Sequence, residues 1–151
     1  MRVIALAFGT LAVAASAGEV PPSVKGLENA RSLGHGFWLV TIAEEMPKDF
    51  FESIGHFQYC YFQKTNLGQC GDMSASPSGT YAVYQVAKTG LIMLFDSRTG
   101  RSRLLTHRFS GLLEKVSWSE QTRSVSISTK PRNGATKSFV FTLATNPAHG
   151  T

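Results

Sequence analysis

Histidines near acidic residues are the first candidates for chemistry in this sequence. His35 and His56 each follow a glycine and precede an apolar stretch, so pairing of the two stretches as β-strands would bring the imidazoles together. With Asp72 or Glu44 as a third ligand, such a pair could hold a zinc ion. Polar residues beside turns are the more common reason for this pattern. The sequence therefore predicts no metal site, and it gives no sign of a cofactor.

Acidic residues form a second candidate group, because two carboxylates can act together in glycoside hydrolysis. Four of them lie around the stretch Met46–Ile54: Glu44, Glu45, Asp49 and Glu52. Pro47 suits the first position of a helix and Gly55 the position after its end, so the stretch allows a short helix. On such a connecting helix, carboxylates are normally solvated.

Common catalytic motifs are missing from the sequence. It has no nucleophile elbow, zinc-protease motif, phosphate-binding loop or dinucleotide fingerprint. No catalytic residue is assigned, and the protein is expected to be non-catalytic. A small hydrolase remains an alternative.

Cys60 and Cys70 are the only cysteines, so only one intramolecular disulfide can form. Their spacing, without a C-x-x-C motif, favours a structural disulfide over a redox or metal pair. The residues between them include Thr65, Asn66 and Gly68, which predicts a turn-like loop closed by the disulfide and stabilised by ~2–3 kcal/mol. A rigid loop of this kind could also block an enzyme, so an inhibitor or immunity-type protein is an alternative function.

The first 17 residues have the features of a secretory signal peptide. Arg2 supplies the positive charge, Val3–Ala15 is apolar, and Ala15-Ser16-Ala17 fits a signal-peptidase site. The apolar run is shorter than the ~20 residues that a membrane-spanning helix needs. We predict cleavage between Ala17 and Gly18, a secreted or periplasmic location, and no transmembrane segment.

The stretch Ser76–Thr106 carries the clearest structural pattern, with three strand-like runs separated by turns. Each turn contains a glycine, and the runs are rich in aromatic, β-branched or alternating residues. The predicted strands are Tyr81–Val86, Leu91–Phe95 and Arg101–Thr106. Their short connections predict an antiparallel meander.

Similar runs predict strands elsewhere in the chain: Gly34–Ile42, Phe57–Phe62, Lys115–Ser119, Ser124–Thr129 and Lys137–Leu143. Asn133-Gly134 is a hairpin signal between the last two. Residues 18–34 are expected to be extended or, from the spacing of Leu27, Ala30 and Leu33, helical. We therefore divide the mature chain into that segment, a single β domain at 35–143, and a loose tail at 144–151.

The meander also resembles a known repeat. The residues Ser76, Pro77, Gly79, Asp96, Thr99, Gly100, Arg103, Leu105 and Thr106 match the pattern of the TolB-type, WD-like β-propeller family. Ser78 departs from it, since the family usually has aspartate there. In that family the scaffold serves protein–protein contacts in the cell envelope, so the resemblance implies a blade-like fold and a protein partner.

A weaker internal repeat accompanies this resemblance. The pairs Ser76 and Ser119, Tyr84 and Ile127, and Trp38 and Tyr81 each stand 43 residues apart, a spacing typical of WD-like blades. About three units of this length fit in the mature chain, and a closed propeller needs at least four. The expected fold is therefore all-β, with blade-like sheets in a partial propeller or a small sandwich, and oligomerisation could complete it.

Positive charge is concentrated in the second half of the chain. There are nine basic and two acidic residues from Ser97 onward, against five and eight between Gly18 and Asp96. We therefore predict a contact surface at Arg98, Arg101, Arg103 and Arg108 for an envelope protein, with an anionic glycan or a lipid headgroup as alternative partners. Nucleic acid is disfavoured by the compartment. The competing interpretation is a solvated basic surface that keeps strand edges unpaired.

Overall fold

The computed structural model of the chain describes residues 19–51 and 53–143. The predicted signal peptide at 1–17, its cleavage site and the predicted tail at 144–151 lie outside the described residues, as does Glu52. The described residues form ten strands and no helix: β1 (Leu27–Gly34), β2 (Phe37–Glu45), β3 (Ile54–Phe62), β4 (Thr65–Ala75), β5 (Tyr81–Val86), β6 (Ile92–Asp96), β7 (Arg101–Leu104), β8 (Leu112–Ser119), β9 (Ser124–Lys130) and β10 (Lys137–Thr142).

The strands are divided between two antiparallel sheets. Strands β1 to β7 form one sheet in sequence order, and β8, β9 and β10 form a second sheet with β9 in the middle. Within each sheet, every strand pairs with its neighbours in sequence, as strands joined by hairpin connections do, whereas β7 and β8 lie in different sheets. The predicted all-β fold and the antiparallel meander are thus confirmed.

The larger sheet bends at β4, which changes partner along its length. Residues Thr65–Gln69 pair with β3, whereas Cys70–Ala75 pair with β5. Register shifts occur at Cys60/Tyr61 and again between Cys70 and Met73, and such bulges sharpen the local bend of a strand. The bend brings β2 and β3 against one face of β5 and β6, around a core of Phe37, Leu39, Cys60, Cys70, Met73, Ala82, Tyr84 and Phe95.

The smaller sheet covers the other face of β5 and β6. Because side chains alternate along a strand, Tyr81 and Val83 point to this second face, where they meet Val125 and Ile127 of β9. Phe139 and Phe141 of β10 pack against the same cluster. Strand β5 is therefore buried on both faces, and the β5–β7 part of the larger sheet forms a small sandwich with the smaller sheet.

The prediction of a short helix at Met46–Ile54 is wrong, since none of the described residues of this stretch is helical. The Met46 amide donates to the Ser53 carbonyl at 3.0 Å, so the β2–β3 ladder extends past its last paired residues. The remaining connection is a loop with a turn at Pro47 and Phe50. Phe50 is 56% exposed and Phe51 fully exposed.

Two strands were not predicted from the sequence. Leu27–Gly34 is strand β1 and pairs with β2, so for this stretch the extended alternative agrees with the structure and the helical one does not. A turn-like loop was expected between the two cysteines. The structure instead has a β-hairpin there, in which the end of β3 pairs with the start of β4 and the turn is at Gln63 and Lys64. Gly68, at φ +106°, lies inside β4 near the bulge.

Two residues that stand 43 positions apart have similar local roles, although the internal repeat itself stays a prediction. Ser76 and Ser119 each precede a hairpin turn, and each hydroxyl accepts a hydrogen bond from a backbone amide beyond it, from Tyr81 at 3.0 Å and from Thr122 at 3.3 Å. The strands are divided seven and three between the sheets. The propeller-repeat resemblance itself stays a prediction.

Candidate functional site

The four arginines proposed as a contact surface do not lie together. Arg98 is in the turn between β6 and β7, Arg101 and Arg103 are on β7, and Arg108 is in the loop between β7 and β8. Strand β7 therefore separates Arg98 from Arg108. All four belong to the last strand of the larger sheet or to its two ends.

Arg98 is held in place by neighbouring side chains. Its Nε and Nη2 donate to the Asp96 carboxylate at 3.1 and 2.9 Å, and Nη2 also donates to the Tyr81 hydroxyl at 2.6 Å. The guanidinium carbon lies 5.1 Å from the centre of the Tyr81 ring. The Arg98 hydrogen bond holds the pKa of the Asp96 carboxyl below its ordinary value. Arg98 thus holds the β6–β7 turn in place through Nε and Nη2, and Asp96 compensates part of its charge.

The other three arginines lie on one side of the molecule, which we call the open edge of the sandwich. The open edge consists of β7, residues 105–111 and β10. Arg101, Arg103 and Arg108 are exposed. Strand β8 contacts β4 and β5, so β10, the far strand of the smaller sheet, lies on the β7 side. A groove of about 410 Å³ runs between β10 and the β7–β8 loop.

The groove combines apolar walls with basic residues. Its apolar walls include Leu105, Phe109, Phe139 and Phe141, and its basic members are His107, Arg108 and Lys137. The Phe139 and Phe141 rings are stacked with their centres 6.3 Å apart. A groove of this kind suits an apolar side chain from a partner that also carries negative charge.

Each strand of the open edge pairs on one side only within the described part of the chain. Strand β7 pairs with β6, and β10 pairs with β9. Edge strands of this kind can accept a further strand through backbone hydrogen bonds. Val140 of β10 is 71% exposed, and Phe109 in the groove wall is 58% exposed, so the edge also carries exposed apolar side chains.

Sequence reasoning found the basic half of this edge and missed the apolar half. The signal for Phe139 and Phe141 is present, since Lys137–Thr142 reads KSFVFT, an alternating strand with aromatic residues on one face. The sequence does not show that this strand packs beside the loop of residues 105–111. This juxtaposition is a product of how the two sheets stack.

The histidines do not form the pair that the sequence allowed. The β2–β3 register pairs Ala43 with His56 and Phe37 with Phe62, so His56 and His35 lie at opposite ends of these strands. His56 Nδ1 is 2.8 Å from the Glu28 carboxylate. His35 packs against the β4–β5 turn, where a Cβ added to Gly79 would lie 2.4 Å from the His35 Cβ. No group of three potential metal ligands occurs in the residues described.

The acidic residues near β2 are not arranged as a catalytic pair among those described. Glu44 accepts a hydrogen bond from the Tyr59 hydroxyl across the β2–β3 ladder. This hydrogen bond, together with burial, raises the pKa of Tyr59 to about 12. Glu45 and Asp49 are exposed. Glu44 therefore has a cross-strand structural partner.

The predicted disulfide between Cys60 and Cys70 is present. It joins β3 to β4 inside the core that lies between β2–β3 and β5–β6, where Cys60 is 0% and Cys70 is 3% exposed. The exposed end of the same hairpin is the Gln63–Lys64 turn. The disulfide thus fixes the bend of the larger sheet and is not at a protruding tip.

Since the described residues form strands and turns, none of them belongs to a helix that could cross a membrane. Comparisons of the chain with protein-family models, curated proteins and solved structures gave no match. The basis for inferring function is therefore the surface described above.

Proposed function

We propose that this protein is a secreted or periplasmic, non-catalytic binding module that takes a protein partner at the open edge. The observation that carries the proposal is the groove between β10 and the β7–β8 loop, beside two strands, β7 and β10, that each pair on one side only among the described residues. The buried disulfide supports an oxidising compartment, as does the signal-like sequence before Gly18.

The partner we propose is an extended acidic segment of an envelope protein. Its backbone would add to β10 as a further strand, with alternate side chains facing the two sides. An apolar side chain would enter the groove beside Phe139 and Phe141. Acidic side chains would approach Arg101, Arg103 and Arg108, whose side chains have no hydrogen bond or ion pair with the described residues.

The chemistry of the remaining surface favours binding over catalysis. The histidines that sequence analysis singled out are far apart, and Glu44 is bonded to Tyr59. The inhibitor alternative is less well supported, because it depended on a loop stapled at its tip and the disulfide is in the core. An anionic glycan or a lipid surface would need only the charge and would leave the apolar groove without a role.

Charge reversal at the open edge is the test. We expect the triple variant Arg101→Glu, Arg103→Glu and Arg108→Glu to capture its partner from envelope extract at least about tenfold less well than the native protein, because like charges across an interface repel. Mass spectrometry of the retained material measures this. Arg98 is left unchanged, since its contacts with Asp96 and Tyr81 are structural.

The matched control is a second triple reversal at exposed basic residues elsewhere, Arg31→Glu, Lys48→Glu and Lys64→Glu. It changes net charge by the same amount and is expected to keep full capture, with both variants melting near the native temperature. Equal loss in the two variants would show a general charge effect, and unchanged capture by the open-edge variant would show that the partner binds elsewhere. Either result contradicts the proposal.

A further inference from the structure

A second cleft lies at the end of the sandwich where three hairpin turns meet, and we call it the turn cleft. It has a volume of about 420 Å³, and its walls come from the β4–β5, β6–β7 and β8–β9 turns together with Leu143 after β10. None of its lining residues belongs to the groove at the open edge. It is therefore a separate site.

The turns that form the cleft are bonded to one another. The Ser97 hydroxyl donates to the carbonyls of Gly79 and Thr80 at 2.8 and 3.0 Å, which ties the β6–β7 turn to the β4–β5 turn. The Leu143 amide donates to the Arg123 carbonyl at 2.7 Å, which ties the chain after β10 to the β8–β9 turn. The walls of the cleft are thus fixed before any ligand binds, and this lowers the ordering cost of binding.

Two guanidinium groups line the turn cleft. Asp96 and Tyr81 hold Arg98 through Nε and Nη2, and no hydrogen bond to the described residues uses Nη1. Arg123 is exposed on the opposite turn, and its side chain has no hydrogen bond or ion pair with the described residues. Two guanidinium groups lining one cleft favour a carboxylate or another small anion.

The other walls are aromatic and hydroxylic. The Trp118 indole is half-buried, and its Nε1 donates to Ser74 at 3.0 Å, so the ring has a fixed orientation. Ser78 and Thr80 are joined by a 3.0 Å hydrogen bond between their hydroxyls. Ser119 and Glu120 add a further hydroxyl and a carboxylate. Hydroxyls and a carboxylate beside an aromatic ring can hydrogen-bond the hydroxyl groups of a sugar while the ring packs on its apolar face.

We propose that the turn cleft binds an acidic sugar of the hexuronate type. The ligand carboxylate would bind Arg98 Nη1 and the Arg123 guanidinium, the sugar ring would pack on Trp118, and the ring hydroxyls would bond to Ser78, Ser119 and Glu120. The cleft volume falls within the range of small-molecule sites. An inorganic dianion would use the two arginines but would leave Trp118 and Glu120 without a role, since it has no ring to pack on the indole and no hydroxyl to donate to the carboxylate.

Nuclear magnetic resonance titration of the full protein with D-glucuronate tests this proposal. We expect the Trp118 indole and the amides of Ser76 and residues 78–80 to shift, with a dissociation constant of about 1 mM or lower. D-Glucose, which lacks the carboxylate, and acetate, which lacks the ring, should each bind about tenfold more weakly. Equal binding of acetate or of glucose, or shifts confined to other residues, would contradict the proposal.

Arginine variants add an independent readout. Arg123→Gln should weaken glucuronate binding about tenfold, because it removes a charged hydrogen-bond donor while keeping a side chain of similar length. Arg132→Gln changes an exposed arginine in the β9–β10 loop, outside the cleft, and should bind as the native protein does. The same affinity in both variants would overturn the assignment. Because the open edge shares no lining residue with the cleft, failure here leaves the protein-binding proposal intact.

Discussion

Replacing Gln85 by methionine is expected to lower the free energy of unfolding by about 3 kcal/mol. Gln85 is 4% exposed on the face of β5 that meets the smaller sheet. Its Nε2 donates to the carbonyls of Gly90 and Gly111, both at 2.9 Å, and its Oε1 accepts from the Leu113 amide at 2.9 Å. One side chain thus satisfies two backbone groups at the start of β8 and one in the β5–β6 turn.

Methionine has a similar volume, so the variant removes hydrogen bonds without leaving a large cavity. The hydrogen bond to Gly111 is buried and those to Gly90 and Leu113 are part-buried, and each such backbone group left without a partner costs about 1 kcal/mol. Urea unfolding of the full chain measures the difference, and Gln121→Met, at an exposed position of the β8–β9 turn, serves as the control. A loss below about 1 kcal/mol for the Gln85 variant would mean that this side chain does not join the two sheets.

Removing the disulfide should have an effect of similar size. The double variant Cys60→Ala and Cys70→Ala is expected to be about 3 kcal/mol less stable than the oxidised protein, because the cross-link restricts a loop in the unfolded chain. Since both cysteines are buried at the bend of the larger sheet, the loss should destabilise the whole domain cooperatively rather than free a local loop.

Chemical reduction of the native protein separates the cross-link from the side chains. Reduced cysteines keep nearly the volume of the disulfide, so the reduced protein should lose most, but not all, of what the alanine variant loses. Denaturant unfolding followed by tryptophan fluorescence compares the three forms. Coincident unfolding curves for the oxidised, reduced and alanine forms would contradict a stabilising role for the disulfide.

The strands of the central meander could be predicted because local chemistry determines them. Tyr81–Val86 matches β5 residue for residue, since a turn-forming segment precedes it and its aromatic and β-branched residues suit a strand buried on both faces. The cysteine pair was also predictable, because only two cysteines are present and the signal-like residues 1–17 predict an oxidising compartment.

Strand β4 could not be predicted in the same way. Asn66, Gly68 and Gly71 are weak strand formers, and they are tolerated because β4 is paired with β3 along one half and with β5 along the other. The proposed approach of His35 and His56 failed for a related reason. Register depends on which residues pair across the turn, and here Glu45 opposite Ile54 places the histidines at opposite ends.

The groove at the open edge could not be predicted, because it forms between parts of the chain that are distant in the sequence. The arginines of β7 were visible as a basic cluster, whereas the groove requires residues 105–110 to lie beside β10, about thirty residues later in the sequence. Gln85 gave no signal at all, since a glutamine in an alternating strand is ordinarily a surface residue. Its role is defined only by the backbone groups around it.

The central claim, that a protein partner binds at the open edge, is tested most directly by site-specific photo-crosslinking. A photoreactive phenylalanine analogue is placed at Phe109 in the groove and, in a second protein, at Phe50 in the β2–β3 loop. The two positions are 58% and 56% exposed, so they offer nearly equal access.

Each protein is irradiated in envelope extract, and the cross-linked products are identified by mass spectrometry. We predict one dominant protein product, carrying an extended acidic segment, from position 109 and no corresponding product from position 50. The same product from both positions at equal yield, or no protein product from position 109, would contradict the claim.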